Sequence, residues 1–310
     1  MDQNYRSGMI PFYLVTGFLG SGKTTLLRRI LEDYADDCKI GIIQNEYAPG
    51  NIDGKELKGT GKPFEILEIN RGSVFCVCLL GGFIDSLSAF IEREEPEIIF
   101  LEATGLADPV SIGELLDAPE LSKSIYLAHT WCIVDAPKFL EMEPRMTRIT
   151  HQVRIADTVI INRTDLGGDV DAIQTRIKEL NPYTEVVSST YCNVAFQKVL
   201  QGKPAEPMAV RQSRELSTIE PGGRPEIRSV VIRTSSPVSW ERLDRFLEEY
   251  LPKTYRMKGY VKLSDGSALA LQTSFDQYSS ETLPNYAGNT EIIAMGESIS
   301  PREMRNMLIK

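Results

Sequence analysis

The sequence holds little histidine and little cysteine, no excess of basic residues and no long apolar run, and each shortage closes off a class of function. His129 and His151 are the only two histidines, which excludes a histidine-rich metal store; each reads as a structural side chain. Five cysteines in 310 residues, an odd number in a chain this long, do not make a disulfide framework, so reduced thiols or metal ligands are expected. Lysine and arginine number 34 against 43 aspartates and glutamates, a formal net charge of -9, and give no electrostatic footprint for DNA or RNA. No stretch of about twenty apolar residues is present to span a bilayer, and Met1 to Gly8 are polar, without the apolar core of a signal peptide. A cytoplasmic protein with no nucleic-acid partner and no membrane partner is the expectation.

What is there is an ordinary globular composition, 42% hydrophobic and 25% charged, in a chain long enough for two domains. Apolar runs at 12–15, 39–43, 64–69, 97–101, 125–134, 158–161 and 185–187 alternate with helical patterns, including one from about 137 to 156 and one over 169–180. Most of these strands are continuously apolar, which predicts an α/β fold with a mainly parallel, doubly wound sheet covered on both faces across residues 1–200. Residues 201–226, with Pro204, Pro207, Pro221, Gly222, Gly223 and Pro225, read as a linker. Residues 227–310 have another rhythm: strand, helix 239–250, strands 255–263 and 268–275 around the turn Asp265-Gly266, strand 291–295, helix 301–309. That predicts a smaller α+β domain.

The first apolar run leads into Gly17-Phe18-Leu19-Gly20-Ser21-Gly22-Lys23-Thr24-Thr25, which fits G-x-x-x-x-G-K-[ST]. The amphipathic pattern Leu26, Leu27, Ile30, Leu31 follows it. A strand-to-helix turn of this kind cradles phosphate: glycines let backbone N–H groups curl inward, and the helix N-terminus adds its positive dipole end. Lys23 is assigned to the β- and γ-phosphates and the Thr24 hydroxyl to Mg²⁺.

Asn162-Arg163-Thr164-Asp165 follows another apolar strand. A carboxylate at Asp165 can accept from N1 and N2 of guanine, donors that adenine lacks, and the flat Arg163 guanidinium can lie over a base. Taken alone the stretch fits an Asn/Asp turn equally well; its place after the phosphate loop favours GTP. Glu102-Ala103-Thr104-Gly105 ends a third strand, where a carboxylate can hold the Mg²⁺ shell or orient water and the Gly105 N–H can sense the γ-phosphate. Asp108-Pro109 just beyond reads also as a helix cap.

The order GFLGSGKTTLL, NEY…IDG, a cysteine segment, EATGLADP, NRTD and a last domain beginning SVVIRTSSPVSWERL resembles the CobW-like P-loop GTPases, relatives of the HypB and UreG maturation GTPases. The likeness spans nearly the whole chain. It implies GTP hydrolysis coupled to delivery of a transition metal, with zinc, cobalt and nickel as candidates, or to assembly of a metallocofactor on a client protein. It also leaves a homodimer open. The chain departs from the family pattern twice. Gln44-Asn45-Glu46-Tyr47-Ala48-Pro49 stands in place of Glu-Asn-Glu-Phe-Gly-Glu, and Cys76-Val77-Cys78 in place of Cys-x-Cys-Cys.

Two thiolates one residue apart can bind a soft or borderline ion, but tetrahedral zinc needs two more ligands, from Glu46, solvent or a second subunit. The alternative for Cys76 and Cys78 is two small apolar side chains packed beside the sheet. The expected chemistry is attack of water on the γ-phosphate, with Lys23 and Mg²⁺ held by Thr24 and by Glu46 or Glu102 neutralising developing charge. No water-orienting glutamine or arginine finger stands out in the sequence. An ATP-dependent small-molecule phosphotransferase and a binding switch with negligible hydrolysis are the other readings.

Overall fold

The computed structural model describes residues 9–46, 57–70, 77–103, 118, 120–121, 123–196, 200, 209–210, 228–274, 277–283, 286–296 and 299–309. The chain divides into two compact units, residues 1–202 and 203–310.

In the first unit the strands are β1 (Ile10–Gly17), β2 (Ile40–Glu46), β3 (Glu65–Asn70), β4 (Ile98–Glu102), β5 (Ile125–Asp135), β6 (Thr158–Asn162) and β7 (Glu185–Ser188). They form one sheet in the order β3-β2-β4-β1-β5-β6-β7, with every pairing parallel. Helices α1 (Lys23–Tyr34), α2 (Val77–Glu94), α3 (Phe139–Met142), α4 (Thr147–Ile155) and α5 (Val170–Leu180) connect them.

Strand side chains alternate between faces, and both faces of this sheet are covered. Trp131 and Ile133 of β5 and Ile160 of β6 join Tyr13, Val15, Leu26, Leu27, Ile30 and Leu31 on the α1 side. Cys132 and Val134, with Val159 and Ile161, pack with Ile149, Val153, Ile173 and Ile177 on the α4–α5 side. Tyr13 stacks between Phe100 and Trp131, with ring centroids 5.1 and 5.5 Å away.

The sheet changes winding direction at β1. The chain passes from β1 to β2 and β3, returns to fill β4 between β2 and β1, then continues on the other side through β5, β6 and β7. The carboxyl ends flanking such a switch point form the crevice where parallel sheets bind ligands. Gly17, Gln44 to Glu46, Glu102, Asp135 and Asn162 all end their strands on that edge.

The helix expected from 137 to 156 is broken. Glu143-Pro144-Arg145 is a 3-10 turn and Met146 is extended, so α3 and α4 are separate pieces. Pro144 has no N–H to give the helix ladder, and its ring crowds the preceding turn. The break buries Glu143, whose carboxylate accepts from Arg176 Nε at 2.9 Å and Thr150 Oγ1 at 2.7 Å. Burial raises this carboxyl's pKa, but the Arg176 and Thr150 hydrogen bonds with the Arg176 and Arg154 charges outweigh it, and the group stays below its usual range.

The second unit is a six-stranded antiparallel sheet in the order β8-β12-β11-β10-β13-β9. Its strands are β8 (Ala209–Val210), β9 (Arg228–Thr234), β10 (Thr254–Lys262), β11 (Ala268–Ser274), β12 (Gln277–Thr282) and β13 (Thr290–Gly296). Helices α6 (Trp240–Tyr250) and α7 (Pro301–Ile309) bury Leu243, Phe246, Leu247, Met304 and Leu308 against Ile232, Met257, Val261, Leu271 and Ile292. Two strands were not expected. β12 is polar apart from Tyr278, which packs against the core, and β8 lies in the stretch read as linker; it pairs with β12 through Gln277↔Val210 and Tyr278↔Ala209. Among the described residues no helix is long and apolar enough to cross a membrane.

Candidate functional site

The loop from β1 to α1 is shaped by left-handed backbone at its glycines. Gly17 (φ 140) and Gly22 (φ 113) have no room for a side chain: a Cβ on Gly17 would lie 2.3 Å from the Ile133 carbonyl oxygen, and one on Gly22 would lie 2.5 Å from Asn162 Nδ2. Gly20, at φ 76, faces open space. Gly22 is the N-cap of α1 and offers no side-chain cap, so the first helical N–H groups keep their donors for a ligand. Ser21 is fully buried, and its hydroxyl meets no partner among the described residues. Lys23 is 7% exposed and its ammonium donates to the Phe18 carbonyl at 3.2 Å, directly across the loop.

At the second helical residue, the Thr24 hydroxyl donates to Glu102 Oε1 at 3.0 Å. The register pairs Gln44 of β2 with Glu102 of β4, and Gln44 Nε2 donates to Glu102 Oε2 at 3.1 Å. The structure thus brings Thr24 and Glu102 together, residues 78 positions apart. A hydroxyl and a carboxylate are hard oxygen donors of the kind Mg²⁺ takes, and they lie beneath a loop whose backbone suits phosphate. Thr25 follows, half-buried, in the same helical turn.

On the other side of β1, Asn162 fastens the stretch 162–165 to the loop between β1 and α1. It is 2% exposed; Nδ2 donates to the Ser21 carbonyl at 2.8 Å, and Oδ1 accepts from the Cys192 N–H at 2.9 Å. Arg163 has left-handed backbone (φ 62), and its guanidinium pairs with Asp135 at 3.0 Å. Thr164 Oγ1 donates to the Ser189 carbonyl at 3.1 Å, and Asp165 stands exposed in the 3-10 turn 164–166. The segment after β7 is held from below as well: Arg29 Nε of α1 donates to the Tyr191 carbonyl at 2.6 Å, and the Cys192 thiol donates to the Gly22 carbonyl at 3.3 Å. Burial pushes that thiol up to about 12, so it packs as a neutral group.

Gln44, Asp135, Arg29 and Cys192 were not picked out from the sequence. Gln44 and Asp135 carried a faint signal, each being polar at the end of an apolar strand, as Glu102 is. Arg29 and Cys192 carried none, because their roles come from contacts 162 and 170 residues away in sequence. Gly105 and Cys76 lie outside the described residues, as do the side chains of Glu46 and Cys78. Among the described residues no group of three or more His, Cys, Asp or Glu could hold a metal ion.

Residues 11–188 match the family described as CobW/HypB/UreG, nucleotide-binding domain, and residues 227–310 match the cobalamin synthesis protein cobW C-terminal domain. The chain is 30% identical to the zinc chaperone CobW of Sinorhizobium sp over 186 residues, which are 51% of this chain and 52% of that protein. It is 27% identical to the zinc chaperone YjiA of Escherichia coli (strain K12) over 264 residues, 81% of each. To the zinc-regulated GTPase metalloprotein activator 1 of Saccharomyces cerevisiae it is 27% identical, over 62% of this chain and 50% of that one. The match therefore spans about half the length of the first and third of these relatives. The fold is that of the crystal structure of Zn(II)-bound YjiA GTPase from E. coli, with TM-score 0.65 and 22% identity over 98% of this chain and 100% of that one. Two matched domains in sequence order and a shared fold give one conclusion: the chain belongs to the CobW/HypB/UreG family of P-loop GTPases, with a CobW-type C-terminal domain.

Proposed function

We propose that this protein binds and hydrolyses GTP and couples its nucleotide state to delivery of a transition metal, or to assembly of a metallocofactor, on a client protein. The observation that carries the nucleotide half is the contact of Thr24 with Glu102 under a loop that Asn162 ties to the base-reading stretch. The residues assigned to phosphate, cation and base lie at the carboxyl edge of one sheet, which supports this reading. The metal half rests on the family and on the relatives, whose names are zinc chaperone and zinc-regulated GTPase metalloprotein activator. Zinc is the first candidate cargo, with cobalt and nickel next. Cys76 and Cys78 are the proposed thiolate ligands, with Glu46 as a possible third.

In this reading the loop N–H groups of Gly20 to Thr24 hold the phosphates, and Lys23 neutralises charge on the γ-phosphoryl as it leaves the β,γ-bridging oxygen for water. Mg²⁺, when bound, supplies further charge neutralisation there, with Thr24 and Glu102 as the residues that would hold it. Gly105 is assigned to sense the γ-phosphate, and Asp165 to select guanine. Intrinsic turnover is slow and is accelerated by a client or by dimerisation, in a cytoplasmic setting.

The test is an anaerobic zinc titration of wild type and of Cys76→Ser/Cys78→Ser, with and without a non-hydrolysable GTP analogue. Loss of zinc affinity in the double variant, together with a nucleotide-dependent shift in wild type, supports the reading. Indifference to both changes removes its metal half. Displacement of GTP by ATP at equal concentration would overturn the assignment of Asp165.

A further inference from the structure

At the carboxyl edge of the first sheet, the Gln44 side chain has its bonding half complete. It is 4% exposed, its Nε2 donates to Glu102 Oε2 at 3.1 Å, and its Oε1 is buried without a hydrogen-bond partner among the described residues. The orientation of the amide follows from chemistry. A carboxylate accepts and does not donate, so Gln44 must turn its NH₂ toward Glu102, and the orphan atom is therefore the carbonyl oxygen. The register sets Gln44 beside Glu102. Thr24, Glu102 and Gln44 form a continuous chain from the phosphate-loop helix across β4 to β2.

A buried carbonyl with no donor is unfavourable unless some ligated state supplies one. The amide adjoins Glu102, one of the pair assigned to Mg²⁺, and this cation usually keeps several of its waters when bound. We propose that Gln44 is a positioning residue for divalent-cation binding: its N–H group fixes Glu102, and its carbonyl accepts a hydrogen bond from a water that enters with the cation. The inference rests on the reading of Thr24 and Glu102 as the Mg²⁺-holding pair. It adds a reason for an amide at this position. A carboxylate at 44 would set two acceptors against each other at the present 3.1 Å contact, so the empty site would lose an attraction and gain a repulsion. With glutamine, the contact is bonding whether or not a cation is present.

Two variants move the cation requirement in opposite directions. Gln44→Leu removes both donor and acceptor; Gln44→Glu keeps an acceptor and adds a charge. The measurement is equilibrium binding of a fluorescent non-hydrolysable GTP analogue across a Mg²⁺ titration, with an EDTA arm and Trp131 fluorescence as a check of folding. For Gln44→Leu the half-saturating Mg²⁺ concentration should rise about fivefold or more while the EDTA-arm affinity stays within about twofold, a change of the size one water-mediated contact gives. Gln44→Glu should need less Mg²⁺ than wild type. A purely structural glutamine would alter stability alike in both arms and would not shift the two variants in opposite senses. Unchanged Mg²⁺ dependence in a folded Gln44→Leu protein overturns the proposal. If that variant does not fold, a Gln44→Glu protein whose Mg²⁺ requirement is unchanged or greater than wild type overturns it instead. Wild type that binds the analogue equally with and without Mg²⁺ defeats the Mg²⁺ reading itself, a result separate from either variant's behaviour.

Discussion

Asn162→Ala is the substitution that tests most directly how the site is assembled. The Asn162 amide joins the Ser21 carbonyl, 141 residues away, to the Cys192 N–H, 30 residues away, and all three lie in buried surroundings. Truncation to alanine strands one backbone acceptor and one backbone donor. Each orphaned buried group costs roughly 1–3 kcal/mol, and water entering the vacated volume recovers part of it, so about 2–4 kcal/mol of stability should be lost. With a urea dependence of about 1–3 kcal/mol per molar, the midpoint should fall by about 1–2 M. Trp131, 2% exposed in the first unit, reports the transition if the exposed Trp240 is first changed to phenylalanine. Asn162→Asp separates the two bonds. It keeps an acceptor for the Cys192 N–H and sets an oxygen against the Ser21 carbonyl, so it should be at least as damaging as alanine. A loss below about 0.5 kcal/mol for the alanine variant would refute the reasoning, because orphaned groups of this kind cannot be that inexpensive in a dry site.

Two further outcomes follow from other buried groups. The Glu143 carboxyl is held below its usual range in the folded state, so its stabilising contribution is present above the unfolded value and is lost as pH falls through the lower folded one. Arg176→Met should flatten the fall in melting temperature on acidification below about pH 4.5, the ordinary value for this group, and should cost about 1–3 kcal/mol near neutrality, discounted because Arg176 is 38% exposed; an unchanged acid limb in a pH series of thermal melts would count against it. The Cys192 and Cys132 thiols, both buried and both pushed up to about 12, should resist alkylation at pH 8 while half-buried Cys38 is labelled first. Peptide mass spectrometry checks the order, and early labelling of Cys192 in the native protein would contradict the latch between it and Gly22.

The phosphate loop from Gly17 to Thr25, the parallel sheet and the stretch from Asn162 to Asp165 were legible in the sequence because their signals are local. Glycines, a lysine and a threonine at fixed spacing between an apolar strand and an amphipathic helix leave few other structures. Pro144 was equally local and should have ended the helix expected over 137–156. β12 was hidden for a physical reason: Tyr278 is its one core-packing side chain among the described residues, too few for a period to show, and the strand is held by backbone pairing to β11, which side-chain periodicity does not record.

By itself, then, the sequence determined most of the strands and helices and their order, though not β8, β12 or the break at Pro144, and it singled out Thr24, Glu102 and Asn162. Only the tertiary structure decided which of them touch. The winding reversal at β1 places β4 between β1 and β2, and so sets Glu102 between Thr24 and Gln44. The same sheet brings Asn162 under Ser21, and Arg163 against Asp135. Contacts such as these depend on strand order and register, which are chosen by packing of the whole sheet. The sequence shows Gln44 as an amide where the family pattern has a carboxylate, and the fold turns it into a half-bonded group beside Glu102.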